Sequence, residues 1–176
     1  MLKISLMDQS DLEFAYEIEK EVNPTPWSKK NFFSSFEVGH NSIVCKHENN
    51  LIGFAIFSLV KEECHLLNIA VTKSWHRKGA GSLLMNTLIK QSKVLGAKKV
   101  FLEVRSKNFN AISFYKKYKF VQDALRINYY AGNNPDDAVQ AEFENGRTAA
   151  LLTIKKRVPE HVFCYPVHCL FELSIF

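Results

Sequence analysis

The chain has 176 residues, 47% of them apolar, with 14 Phe and a net charge of +5. That length suits one domain with a substantial core, and that composition excludes an intrinsically disordered chain. The N-terminus lacks a long apolar stretch and no run approaches the length of a membrane span, so a cytoplasmic protein with no membrane association is expected.

Leu2 to Leu6 alternates weakly and predicts an edge strand. Asp8 or Ser10 can cap a helix over about Asp11 to Val22, with Phe14, Ile18 and Val22 on one face. Pro24 and Pro26 end it, and Ser28 caps a second short helix through about Phe36. Ser42 to Lys46 and Leu51 to Val60 read as strands joined by the polar turn His47 to Asn50. Glu63 to Val71 is the third strand of that meander. A helix follows over Ser82 to Leu95, with Leu84, Leu88, Gln91 and Leu95 at helical spacing and Gly96 at its C-cap. Lys99 to Arg105 predicts a strand, Asn108 to Tyr118 a helix, and Phe120 to Tyr130 a strand. Ala131 to Gly146 reads as a polar loop and Arg147 to Lys155 as a last strand. The order is βααβββαβαβ plus a final β, an α/β (α+β) mixed sheet with no internal repeat.

The most informative stretch is HRKGAGS, His76 to Ser82. It lies between a strand and a helix. Amides at a helix start lack intrahelical acceptors, and the helix dipole adds partial positive charge there. Gly79 and Gly81 remove Cβ atoms, so an anion can approach the backbone. Lys73, Arg77 and Lys78 concentrate positive charge beside it. The stretch lacks the Gly-Lys-Ser/Thr of a P-loop and the third glycine of a dinucleotide fingerprint. A phosphate loop for another pyrophosphate carrier and an ordinary basic turn are the two readings left. No aromatic–basic stripe or zinc-finger spacing points to direct nucleic-acid binding.

Glu103 lies on a strand, on the face opposite Leu102 and Val104. It is either an acid–base group or half of an ion pair with a nearby arginine. Asn108 can cap the following helix. Tyr115, two turns on, shares its face and is either functional or a core aromatic. The four cysteines, Cys45, Cys64, Cys164 and Cys169, form no disulfide framework and are expected as reduced thiols. The C-terminal stretch holds His161, Cys164, His168 and Cys169, whose spacing fits no standard zinc template, and no metal is expected. Phe171, Leu173 and Ile175 alternate there as an added strand would.

Together these pieces resemble the GNAT acetyltransferase superfamily. The likeness rests on PWS at Pro26 to Ser28, LLNIAV at Leu66 to Val71, and RKGAGSLL at Arg77 to Leu84. It continues through LEVRSKN at Leu102 to Asn108, AISFY at Ala111 to Tyr115 and RINYY at Arg126 to Tyr130. It is strongest over Glu63 to Tyr130 and extends weakly from the N-terminus to about Lys155. A domain at 1–155 and an unmatched tail at 156–176 are therefore expected. Within the superfamily the likeness is to the RimI-like branch, which acetylates the N-terminal alanine of small-subunit ribosomal protein eighteen.

The resemblance implies a mixed sheet that splays after the Glu63–Val71 strand, with acetyl-CoA as cosubstrate in the splay. It implies cofactor contacts at Ile69, Ala70 and Val71, at Arg77, Lys78, Gly79, Ala80, Gly81 and Ser82, and at Asn108. Glu103 maps onto the family's proton acceptor and Tyr115 onto its proton donor. The implied partner is a ribosomal protein N-terminus. The family usually carries Gln or Arg where this chain has His76. It also has a short loop between its last two strands, where this chain has the long, acidic Ala131–Gly146. Two other functions stay open at this point: transfer to a lysine or small amine, and a CoA- or peptide-binding module without catalysis.

Overall fold

The structure, a computed structural model, describes residues 1–130 and 135–146. Its strands are β1 (Leu2–Leu6), β2 (Asn41–His47), β3 (Asn50–Val60), β4 (Glu63–Val71), β5 (Lys99–Arg105), β6 (Val121–Tyr130) and β7 (Asp136–Glu144). Its helices are α1 (Leu12–Val22), α2 (Lys29–Glu37), α3 (Ala80–Val94) and α4 (Phe109–Lys117). The strands form one mixed sheet in the order β1-β2-β3-β4-β5-β7-β6.

Local chemistry sets the boundaries. Asp8 accepts from the amides of Ser10 and Asp11 and starts a short 3₁₀ turn that leads into α1. The Ser28 hydroxyl accepts from the Asn31 amide and starts α2. Glu48 and Asn49 both take left-handed backbone, at φ 50° and 68°, which closes the tight β2–β3 hairpin. Gly96, at φ 89°, follows α3 as a C-cap glycine should.

The sheet carries helices on both faces. Against α3 and α4 lie Ala55, Phe57, Ile69, Val71, Leu102 and Val104. Against α1 and α2 lie Val44, Phe54, Ile56, Leu67 and Ala70. Phe14 departs from its expected inward position: it is exposed, and Leu12, Ala15, Ile18 and Glu19 form the buried stripe of α1. Leu95 is likewise exposed, while Ala80, Leu84, Met85 and Leu88 make the buried face of α3.

The expected acidic loop is corrected. β7 occupies Asp136–Glu144 within that stretch and is an interior strand, paired with β5 on one side and β6 on the other. Its carboxylates are used within the sheet. Asp136 accepts from the Ser106 hydroxyl and Asp137 from the Asn128 amide. Glu142 pairs with Lys99 at 2.9 Å. Ala138 and Ala141 supply the buried positions. The strand expected at Arg147–Lys155 and the alternating tail lie outside the described residues, as do Cys164 and Cys169.

Two irregularities shape the middle of the sheet. The β3–β4 register shifts between Ile56 and Phe57, leaving Leu67 as an extra residue on β4. Cys64 and Leu66 before it, and Ile69 and Val71 after it, therefore all reach the α3/α4 face. Secondly, β4 and β5 pair in parallel only from Glu63–Lys99 to Leu66–Leu102. Beyond that point no ladder joins the two strands, which leaves a gap in the pairing, the cleft of the sheet, between Leu67–Val71 and Glu103–Arg105.

Candidate active site

The cleft has a basic loop at its mouth. After β4, a 3₁₀ turn over Lys73–Trp75 leads into Arg77, at φ 59°, and Gly79, at φ 91°. The Glu21 carboxylate anchors this turn to α1 by accepting from the Thr72 hydroxyl at 2.6 Å and the Lys73 amide. Gly79 is the N-cap of α3, and the first intrahelical bond runs from the Leu83 amide to the Gly79 carbonyl. The amides of Ala80, Gly81 and Ser82 thus belong to the helix start that has no intrahelical acceptor. Arg77, Lys78 and Ser82 are exposed around them. Lys78 also lies over the Trp75 ring, 5.4 Å from its centroid.

His76 has a structural bond of its own. Its Nε2 lies 2.7 Å from the Val71 carbonyl oxygen, so that nitrogen carries the hydrogen and donates. The side chain ties the loop to the end of β4. Gly53 lies opposite Val71 in the ladder, where a Cβ would stand 2.8 Å from the Ala70 carbonyl oxygen. This glycine is what lets β3 and the C-terminal end of β4 come together.

Tyr115 projects from α4 into the core below the cleft. It is 2% exposed, and its hydroxyl has no hydrogen-bond partner among the described residues. Burial, with the neighbouring Tyr130 phenol adding to it, pushes its pKa well above the ordinary value, so the hydroxyl keeps its proton. Asn108 caps α4, its side-chain oxygen accepting from the Ala111 amide at 3.1 Å. The Tyr118 hydroxyl donates to the Ser82 carbonyl and ties α4 to α3.

Glu103 stands on the other face, as strand alternation predicts. Arg126 on β6 donates to its Oε1 at 2.6 Å. The ion pair weighed from the sequence is therefore real, but it occupies one oxygen only. Oε2 is buried with no partner among the described residues. Around this carboxylate gather groups that sequence reasoning did not single out. Arg126 stacks on Tyr129 at 4.7 Å and Arg105 on Tyr130 at 4.3 Å. Arg105 also donates to the Thr25 hydroxyl of the α1–α2 connection at 2.6 Å. That connection is held from below by the buried Glu19, whose Oε1 accepts from Asn23 and from the Trp27 amide. Arg126 and Tyr129 lie within RINYY, so the segment was legible but the pairing was not.

The two described cysteines are unsuited to covalent chemistry. Burial pushes the Cys64 thiol up to about 12 and that of Cys45 to about 11, so both stay protonated and unreactive at neutral pH.

A sheet split between two parallel strands, with a basic helix start at one end and a carboxylate and a buried phenol beside the gap, defines an acyl-transfer enzyme of the N-acetyltransferase kind. Residues 12–120 match the acetyltransferase (GNAT) family, and the chain belongs to it. It is an acetyl-CoA-dependent N-acetyltransferase.

Among its relatives is the [ribosomal protein bS18]-alanine N-acetyltransferase of Salmonella typhimurium. The two are 33% identical over 140 residues, covering 79% of this chain and 95% of the relative. The Escherichia coli enzyme of the same name is 35% identical over 130 residues, 74% of this chain and 88% of the relative. The crystal structure of the Escherichia coli ribosomal-protein-S18-alanine N-acetyltransferase superposes with a TM-score of 0.79 at 31% identity, covering 87% of this chain and 99% of that one. Arabidopsis thaliana NAA60 in complex with acetyl-CoA shares the fold, with a TM-score of 0.75 at 20% identity over 82% of this chain and 98% of that one. Among the described residues no helix is long and apolar enough to cross a membrane.

Proposed function

We propose that this acetyltransferase modifies a protein N-terminus and that its natural acceptor is the N-terminal alanine of ribosomal protein bS18. The observation that carries the reading is the likeness to bS18-alanine N-acetyltransferases along nearly their whole length.

In this reading acetyl-CoA lies in the gap between β4 and β5. Ile69, Ala70 and Val71 hold its pantetheine arm. The pyrophosphate sits on Arg77, Lys78, Gly79, Ala80, Gly81 and Ser82. The fit rests on the left-handed backbone at Arg77 and Gly79 and on the amides free at the start of α3. The oxygen of Asn108 caps α4, so a contact from this residue to the cosubstrate uses its amide nitrogen.

The attacking amine must be neutral. An α-amine has a pKa of ~7.7–8.0, so roughly a quarter is neutral near pH 7.4, against about a thousandth for lysine. An N-terminal acceptor therefore asks little of its base. Glu103 accepts the proton at Oε2, the oxygen that Arg126 leaves open. As the C–N bond forms and the C–S bond breaks, Tyr115 supplies a proton to the leaving thiolate. A thiol is about 1.5 units more acidic than an ordinary phenol, so complete transfer costs about 2 kcal/mol, and burial adds to that. Much of the hydroxyl's effect then comes from its hydrogen bond to sulfur as charge develops there. Alignment of amine and thioester supplies the larger share, up to ~7–11 kcal/mol, against ~10²–10⁴-fold for acid–base groups.

The test is acetyl transfer to a panel of peptides read by mass spectrometry: the bS18 N-terminus, unrelated N-termini, and an internal lysine with a blocked N-terminus. Preference for the bS18 peptide with the acetyl group on its α-nitrogen is expected. Acetyl found only on the lysine would overturn the acceptor assignment.

A further inference from the structure

Asn68 lies on β4 just past the last β4–β5 pair and has no role in the site described so far. It is fully buried, and neither its Oδ1 nor its Nδ2 has a hydrogen-bond partner among the described residues. A buried amide left unpaired at both ends costs several kcal/mol, so natural cores almost always satisfy one. An exception at a functional cleft calls for a reason.

The register places it. Asn68 pairs across β3 with Ile56, and directly paired residues share a face. Ile56 belongs to the α1/α2 side of the sheet. On β5, Leu102 and Val104 face α3 and α4, so Glu103 between them faces the α1/α2 side too. The last β4–β5 pair is Leu66 with Leu102. Glu103 is the next residue on β5, and Asn68 follows the bulged Leu67 on β4. The two side chains stand on one face of adjacent strands, at the point where the strands part. Glu103 Oε2 is itself buried and unpaired, with Oε1 held by Arg126. A donor that lacks an acceptor and an acceptor that lacks a donor thus flank the same gap.

We propose that Asn68 is a positioning residue for acetyl transfer: with the acceptor bound, its Nδ2 closes on Glu103 Oε2 and its Oδ1 receives an N–H of the attacking amine. The amide's two ends match the two tasks. An ionised carboxylate offers only acceptors, so a neutral donor fixes it without a competing charge. A carbonyl oxygen accepting from the amine leaves the nitrogen lone pair free to face the thioester. Asn68 gains and loses no proton. The amine's proton passes to Glu103, the C–N bond forms, the C–S bond breaks, and the thiolate receives its proton from Tyr115. This inference rests on Glu103 as the base of the proposed function.

The test is a cycle of Asn68→Leu and Glu103→Gln, with Asn68→Asp as a second probe that keeps the shape and the acceptor but removes the donor. Asn68→Leu is expected to melt at the wild-type temperature or above, because it removes the unpaired amide. It should bind acetyl-CoA within about twofold of wild type and lose about 10- to 100-fold in kcat/KM for an N-terminal peptide. In the Glu103→Gln background the same substitution should cost less than about threefold, since the two act as a unit. Asn68→Asp should be impaired like the leucine variant. Unchanged kcat/KM in both Asn68 variants, or the same loss with and without Glu103→Gln, would overturn the proposal. A wild-type enzyme that acetylates only lysine overturns the acceptor reading instead. The same cycle on that lysine peptide then decides the role of Asn68, by coupling or its absence.

Discussion

Replacing Tyr115 by Phe separates stability from catalysis, because the two should move in opposite directions. The ring is buried against Phe114 and Phe120, at centroid distances of 5.6 and 5.9 Å, and phenylalanine keeps those contacts. What is lost is a hydroxyl with no partner among the described residues. Leaving such a group buried costs about 1–3 kcal/mol, so its removal should stabilise the fold by a similar amount, at most a few degrees in Tm per kcal/mol. Turnover should fall about 10²- to 10⁴-fold, since in the proposed mechanism the departing sulfur loses its donor. The fall should be uniform from pH 6 to 9, because burial holds the phenol protonated throughout that range. The sign is testable at the alkaline end as well. The folded-state pKa of Tyr115 is raised, so above the unfolded value of about 10 the unfolded chain releases a proton that the folded one retains. The wild type should therefore lose stability as pH rises past 10, and this contribution should be missing from the variant. Thermal melts at pH 7 and 10.5 and steady-state kinetics with an N-terminal peptide suffice. A variant that melts several degrees lower at pH 7, or one that turns over at the wild-type rate, would refute the reasoning.

Gly79→Asp places a carboxylate at the N-cap of α3 on a φ of 91°, and calorimetry should show acetyl-CoA affinity reduced at least tenfold. Gly53→Ala drives a Cβ to within 2.8 Å of the Ala70 carbonyl oxygen, and denaturant melts should show a loss of about 1–3 kcal/mol together with weaker acetyl-CoA binding. Glu103→Gln should lower kcat/KM most at low pH, where less of the acceptor amine is neutral, with acetyl-CoA affinity retained. Burial raises the Asp136 carboxyl, but the Ser106 hydroxyl, the Asp137 amide and the Lys107 charge outweigh it and hold its pKa below the ordinary range. Its contribution to stability is then present above the unfolded pKa and lost as pH falls through the folded one, so Asp136→Asn should flatten the acid limb of a stability–pH curve.

Much of the fold was legible because local signals and tertiary needs agreed. Glu63–Val71 and Lys99–Arg105 are strands with the boundaries read from the sequence, and Asn108 and Ser28 cap the helices assigned to them. Phe14 was misread because helical spacing also admits a stripe through Leu12, Ala15 and Glu19. In that stripe a buried carboxylate is tolerated because it is bonded to Asn23 and Trp27. β7 was misread for a related reason. Four carboxylates in sixteen residues read as a solvated loop, since nothing in the chain itself reveals that Ser106, Lys99 and the Asn128 amide are waiting for them. The partners lie 9 to 43 residues away.

The same limit explains which parts of the site could be found. A helix-start anion site is local, so HRKGAGS announces it within seven residues. The acid–base groups of the proposed mechanism come from β5 and α4, with β6 and the α1–α2 connection beside them, and their logic appears only when these are brought together. In that proposal Glu103 need not be a choice between an ion pair and a base. The two roles fall on two oxygens: Arg126 fixes Oε1, and a carboxylate fixed at one oxygen can present the other in a set direction. The correction of β7 bears on acceptor choice in the same way. Asp136, Asp137 and Glu142 are paired within the sheet, so they do not form a free anionic surface for a basic N-terminus. In the proposed function, recognition falls to the rim around Glu103, where Thr25, Arg105, Arg126, Tyr129 and Tyr130 are gathered. That rim offers two guanidinium groups stacked on aromatic rings, with one oxygen of Glu103 already paired to a guanidinium. Such a surface should reward a small, uncharged first residue, which lets the amine reach Oε2, and disfavour a long cationic one, which would meet like charge on the way in; kcat/KM for peptides beginning with Ala and with Lys checks this.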